Sequence, residues 1–203
     1  MSESLGSEGR KILAGALEDG SGAAEEDAPP KFAADRQTES ARRRQEAKTA
    51  EAVSLFNVKA KNGVKWMKKN GVIDETPEAL GKWMYENRNN GLSKRQMGEL
   101  LGGGAEYNIA VLENFLLNLN FTGLTIDVAI RTMLREFRLP GESQCIDRIM
   151  EKFAATYKAQ NEDTWKFSED AAFCLAFSII MLNVDLHNPA IEDAKKMTEK
   201  VCV

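Results

Sequence analysis

The sequence predicts an all-α chain, an irregular multi-helix array, on three observations. Apolar residues recur every three to four positions over most of its length, short stretches of this kind are punctuated by capping residues, prolines and glycines, and no run of alternating β-branched residues is long enough for a sheet. At 203 residues there is room for one domain and a tail. No internal repeat is visible, and the segments differ in length, which disfavours a solenoid.

Residues 1–40 are rich in Gly, Ala, Ser and Glu, contain Pro29-Pro30 and carry the acidic cluster Glu25-Glu26-Asp27. Such a segment buries too little apolar surface to offset its ordering entropy, so it reads as a disordered acidic tail. From Ala41 the text changes to ARRRQEAKTAEAVSLF, free of Gly and Pro and made of good helix formers, which predicts a helix leading into a domain over 41–203. Arg42-Arg43-Arg44 reads either as a solvated face or as a contact for a membrane or acidic partner. Further on, Thr76-Pro77-Glu78 places an N-cap before a first-turn proline, and Ser93-Lys94-Arg95-Gln96 fits a capping box.

Three amphipathic helices follow. Ile109, Leu112, Leu116 and Leu119 share a face from about Ala105, then Ile126, Ile130, Met133, Leu134 and Phe137 from Thr125, and Ile146, Ile149, Met150, Phe153 and Tyr157 from Glu142. Ser168-Glu169-Asp170 caps a last helix whose body, AAFCLAFSIIML, is apolar all round, the pattern of a central helix with neighbours on most sides. Gly102-Gly103-Gly104 follows no strand and lacks the lysine and hydroxyl residue of GxxxxGK[ST], so it reads as a helix–helix turn rather than a phosphate cradle.

Composition narrows the function. A net charge of -4 carries no general polyanion signal, so nucleic acid is not an expected partner. One histidine and three separated cysteines, Cys145, Cys174 and Cys202, build neither a structural zinc site nor a disulfide framework, and read as thiols of a reducing compartment. The N-terminus has no apolar signal region, and the longest apolar run, residues 171–182, is 12 residues interrupted by Ser178 against the ~20 of a membrane span. The expectation is a soluble intracellular protein. His187 has no Cys or Ser arranged as a nucleophile, which leaves carboxylates, amides and shape to carry any chemistry, with no cofactor or metal implied.

Two segments exceed what packing requires. In FRLPGESQCIDR, residues 137–148, Pro140-Gly141 forces a tight turn and leaves Glu142 at the start of the following helix. There it either complements the helix dipole or projects from a rigid edge into a partner's site. In MLNVDLHNP, residues 181–189, an apolar helix runs into Asn183, Asp185, His187 and Asn188, which need partners within the loop or on another protein.

Both segments resemble the two signature motifs of the Sec-seven domain, the module of guanine-nucleotide-exchange factors for Arf-family small GTPases. The resemblance begins near FNVKAKNGVKWMKKNGVI and passes through LGGGAEYNIAVLENFL and FTGLTIDVAIRTMLREFRLPGESQCIDRIMEKFAATY. It ends near DLHNPAIEDAKKMT and covers about three quarters of the chain. It implies a right-handed helical array with an apolar groove, and exchange activity without covalent chemistry.

Glu142 would be the finger pushed into the nucleotide site of Arf bound to GDP. Phe177 and Met181 would supply groove surface or core packing, Asp185 and Asn188 its polar rim, and Asp147 and Arg148 the opposite wall, Asn188 serving alternatively to stabilise its loop. Ser178 and Asp185 resemble brefeldin-A-sensitive members, and Phe177 resembles resistant ones. The resemblance further implies a cytoplasmic protein peripheral to Golgi or endosomal membranes, held there indirectly, with no obligate oligomer. A non-catalytic GTPase-binding module or inactive fragment is the alternative, because the chain stops at TEKVCV where the family continues into further helices. Their absence predicts an exposed apolar patch along 173–182.

Overall fold

The computed structural model describes residues 31–187, 189–192 and 196, with side chains from Thr38 onward. Eight helices and no strand occur among them. α1 spans Lys31–Val58, ten residues earlier than the composition boundary suggests, and crosses from a first unit ending at Glu39 into a second, Ser40–Val203. In the second unit follow α2 (Ala60–Lys69), α3 (Pro77–Asn87), α4 (Lys94–Leu101), α5 (Glu106–Leu117), α6 (Ile126–Glu136), α7 (Ser143–Gln160) and α8 (Glu169–His187).

The starts follow the local chemistry. Thr76 caps α3 by accepting from the Ala79 N–H at 3.3 Å, with Pro77 at the first helical position. Ser168 caps α8 by accepting from Ala171 at 3.1 Å. At α4 only half of the expected capping box forms. Ser93 accepts from the Gln96 N–H at 3.4 Å, but its own N–H donates to the Asn57 side chain at 2.6 Å. The Gln96 side-chain Oε1 is taken by the N–H of Ala60 at 2.9 Å. Two residues from the α1–α2 corner thus replace the reciprocal bond, a tertiary substitution that satisfies the same donors.

The core gathers the predicted stripes, with Leu112, Leu116, Ile130, Met133, Phe137, Ile149, Met150, Phe153 and Tyr157 buried. α5 lies centrally, packed on α3, α4 and α7. Phe115, Phe137 and Tyr85 meet edge to face, with Phe137 and Phe115 centroids 6.0 Å apart. Close helix approach is bought by glycine. A Cβ on Gly63 would lie 2.5 Å from the Phe56 Cα, and one on Gly81 2.8 Å from Asn114.

The C-terminal end of α7 clamps the α5–α6 connection. Buried Asn161 donates to the carbonyls of Phe121 and Tyr157, each at 3.0 Å, and accepts from Gly123 at 2.8 Å. Gln160 adds bonds to Phe121 N–H and Leu119 carbonyl at 2.7 and 2.9 Å. Losing the Asn161 amide leaves buried backbone groups unpaired, at roughly 1–3 kcal/mol for each unsatisfied partner. Asn161→Ala is therefore expected to lower unfolding free energy by about 2 kcal/mol, read from urea midpoints against the parent. A midpoint unchanged within error would show that water replaces the amide.

α8 departs from the reading of a helix with neighbours on most sides and agrees with the exposed apolar patch expected along 173–182. Ala172, Ala176 and Ile180 alone are buried, against α7 and α6, while Leu175, Met181, Val184 and Leu186 are exposed. Counted from Glu169 to His187 rather than over its 12-residue apolar run, the helix is long and apolar enough by length and composition to span a membrane. Here its small-residue face packs on protein.

Candidate functional site

The turn between α6 and α7 is built from long-range contacts. α6 ends as Phe137 adopts an extended conformation (φ -146, ψ 167) and buries its ring completely, which releases the chain into Arg138-Leu139-Pro140-Gly141. α4 receives this segment. Arg138 N–H donates to the Lys94 carbonyl at 3.0 Å, and the Lys94 ammonium donates to the Arg135 carbonyl. Gly98 and Gly102, one turn apart on α4, face the segment directly. A Cβ on Gly98 would fall 1.7 Å from the Arg138 carbonyl oxygen, and one on Gly102 2.9 Å from Pro140 and 3.0 Å from Cys145.

On this seat Glu142 occupies the N-cap of α7, with extended φ and ψ of -99 and 126. Its carbonyl accepts from the N–H groups of Cys145 and Ile146 at 3.0 and 3.2 Å. Its carboxylate makes no capping bond to the backbone and is exposed, although an N-cap position invites such a bond. One oxygen takes a weak contact from the Cys145 thiol at 3.7 Å. The geometry leaves a carboxylate projecting from a turn whose backbone is fixed from below.

Arg148 points the other way. Its Nη2 donates to the Gly102 carbonyl at 2.8 Å and touches the Cys145 sulfur at 3.4 Å, and the guanidinium lies beside Gly104. It locks α7 to the Gly102–Gly104 turn, confirming that turn as a helix–helix connection. Lys152, one turn further on, bonds Glu113 of α5 at 2.8 Å, a contact that raises the lysine's pKa and ties α7 to the core. Asp147 is exposed on α7.

α8 presents two different faces. Phe177, Met181 and Asp185 lie at successive i, i+4 positions on one stripe. Phe177 is half-buried and stacked on Phe173 at 6.0 Å, and Met181 is 45% exposed, so neither is plain core. A second face, with Ile179, Ile180, Asn183, Val184 and His187, lines a cleft of about 410 Å³ against α6. Ile130, Leu134, Asp127 and Arg131 of α6 line its other side, together with Leu139. Leu139 belongs to the turn that carries Glu142. The Thr125 hydroxyl, donating to Asp127 at 2.6 Å, holds that carboxyl below its usual range.

Leu139, three residues before Glu142, is the residue of this turn that lines the cleft against α8. Asn188 lies outside the described residues. Sequence reasoning missed Gly98 and Lys94, which seat the turn, and Leu139, which connects turn to cleft; of these only Leu139 carried a local signal, as an apolar residue within a turn.

Comparison with known proteins fits this architecture. Residues 45–201 match the family described as the Sec7 domain. A Dictyostelium discoideum relative, "Ankyrin repeat, PH and SEC7 domain containing protein secG", is 45% identical over 150 residues, 73% of this chain and 15% of that protein. Human "Brefeldin A-inhibited guanine nucleotide-exchange protein 1" is 39% identical over 151 residues, 74% of this chain and 8% of the relative. The chain therefore spans a small part of the relatives' length. Among solved structures, "Structure of ARF1-GDP bound to Sec7 domain complexed with Brefeldin A" superposes with a TM-score of 0.67 at 37% identity, covering 76% of each chain. The Sec7p catalytic domain gives 0.65 at 39% identity, covering 73% of this chain and 78% of that one. With eight helices, an uncapped carboxylate on a braced turn and a family match over most of its length, the chain belongs to the Sec7 domain family.

Proposed function

We propose that this chain is a guanine-nucleotide-exchange factor for an Arf-family small GTPase, with Glu142 as the group that expels GDP. The observation that carries the reading is the Glu142 carboxylate, exposed and unused by its own helix on a turn braced by Gly98 and Gly102. A GTPase holds GDP through the β-phosphate, a magnesium ion and a lysine. An intruding carboxylate repels the phosphate and competes for both cations, and at short range in a partly desolvated site such terms amount to several kcal/mol. No covalent bond changes. The factor binds the nucleotide-free GTPase more tightly than the GDP-bound one, and GTP displaces it by mass action.

The stripe of Phe177, Met181 and Asp185, with Asn188 following in sequence, supplies the docking surface in this reading, and Asp147 flanks it from α7. Arg148 contributes by holding α7 in place, since its guanidinium is turned onto Gly102. The domain over 41–203 would act in the cytoplasm at the surface of Golgi or endosomal membranes.

The test loads an Arf-family GTPase with a fluorescent GDP analogue and follows its release. The full chain is expected to accelerate release, and Met181→Asp is expected to weaken binding to the nucleotide-free GTPase while leaving helicity unchanged. Binding to the nucleotide-free GTPase by the folded chain without acceleration would identify a non-catalytic module. No binding and no acceleration would end both readings.

A further inference from the structure

The chain carries a net charge of -4, yet between Glu51 and Asp74 it contains no acid and five lysines, Lys59, Lys61, Lys65, Lys68 and Lys69. The structure collects them. α2 buries Ala60, Gly63, Val64 and Met67 and turns Lys61, Lys65, Lys68 and Lys69 outward at i, i+4, i+7 and i+8, a single face. Lys48 of α1 joins that face, its ammonium donating to the Asn70 carbonyl at 3.1 Å at the end of α2. Lys68 is held against the Tyr107 ring, 4.1 Å from its centroid.

Lys59, Lys61, Lys65 and Lys69 are exposed and make no ion pair among the described residues. Glu99 shares a cleft with Lys59 and Lys61 but is already bound by Arg95 at 2.9 Å, and Lys68 also donates to the backbone carbonyl of Glu75 at 3.1 Å. At the break between α1 and α2, directly before Lys59, Val58 is 78% exposed. A large apolar side chain at the tip of an unpaired lysine face is the composition of a surface that rests on lipid headgroups.

We propose that this face of α2 docks on an anionic lipid bilayer, with the lysines in the headgroup field and Val58 entering the interface. The partner is inferred from charge complementarity and form. Apart from the cleft edge at Lys59 and Lys61, the face is the outer surface of a helix, suited to a plane rather than to a ligand that must be enclosed. Its charges are lysines, point charges on flexible stems, rather than arginines with bidentate geometry. The proposal does not depend on exchange activity, since none of these residues belongs to the Glu142 turn or the α8 stripe.

The experiment is flotation of the full chain with vesicles of phosphatidylcholine alone, and of phosphatidylcholine with about a third phosphatidylserine, a content that sets a strongly negative surface potential. Binding to the anionic vesicles only, falling as salt rises, is expected. Lys65→Glu should weaken it by about 25-fold, roughly fivefold per unit of charge. Lys61→Gln with Lys69→Gln should give a similar loss in a second folded variant, while Lys166→Glu, the same charge change at an exposed site outside α2, should leave most of the binding intact.

Failure of the folded chain to bind anionic vesicles overturns the proposal. So does equal loss in Lys166→Glu, which would reduce the effect to net charge. Binding confined to a polyphosphorylated headgroup, or competition by duplex DNA matching lipid charge for charge, would assign the face to another partner. Exchange measured on a GTPase free of lipid should be the same in Lys65→Glu as in the parent, which separates this result from failure of the exchange reading.

Discussion

Glu142→Lys is expected to abolish accelerated GDP release, by at least about 100-fold, the scale on which losing one preorganised charged or hydrogen-bonding group disables a catalytic site. The expectation rests on a separation of roles at one residue. The backbone of Glu142 starts α7, while its carboxylate caps nothing and is exposed. Reversing its charge at a helix N-terminus costs only about 0.3–1 kcal/mol through the dipole, so the thermal midpoint should move by a few degrees at most.

Glu142→Gln refines the test. It keeps the shape and removes the charge, so a loss nearly as deep shows that electrostatic repulsion drives GDP out, whereas retention of most activity shows that the turn acts by bulk. Release that is equally fast with parent and Glu142→Lys, both folded, would remove the carboxylate from the mechanism.

Gly98→Ala is expected to be the most damaging single methyl in the chain, lowering unfolding free energy by about 3 kcal/mol or more, at the upper end of overpacking costs. The added Cβ would sit 1.7 Å from the Arg138 carbonyl oxygen and 2.9 Å from its carbon. Both are backbone atoms, so no rotamer change relieves the clash. Arg138 is further fixed by its bond to the Lys94 carbonyl, and α4 must move away from the turn. Whatever fraction stays folded should show weak exchange, because the displaced segment carries Glu142.

The informative control is Gly141→Ala. Gly141 has nothing within 4 Å of a built Cβ, and its stability should change by less than about 1 kcal/mol, the scale of glycine's backbone entropy. Chemical denaturation of both variants checks the contrast. Equal midpoints for Gly98→Ala and the parent would show that α4 yields at no cost.

That pair shows where the sequence was legible. Pro140-Gly141 announces a turn, but Gly141 stands in open space, and the glycine that the turn needs is 43 positions earlier, inside a helix where it looks like a weak former. Arg148 had the same difficulty. Its guanidinium reaches Gly102, 46 residues away, a contact that no local pattern announces. Asn161 carries no motif at all and pins the α5–α6 connection through two bonds, with a third back to its own helix. The apolar run of α8 reads as a helix with neighbours on most sides, since composition registers that a face is apolar and not whether anything lies against it.

By itself, the sequence determined the all-α class, the helix starts at Thr76, Ser93 and Ser168, the amphipathic stripes of α5 to α7, and Glu142 at the head of α7. Each depends on residues within a few positions of one another, where periodicity and capping act directly on the backbone. The tertiary structure alone decided that Gly98 and Gly102 form the seat of the turn, that Arg148 reaches the Gly102 carbonyl, that Leu139 lines the cleft against α8, and that the lysines of α2 share one face without ion pairs among the described residues. Those features arise from contacts between segments tens of residues apart, and local residue patterns hold no record of which distant surface a side chain will meet.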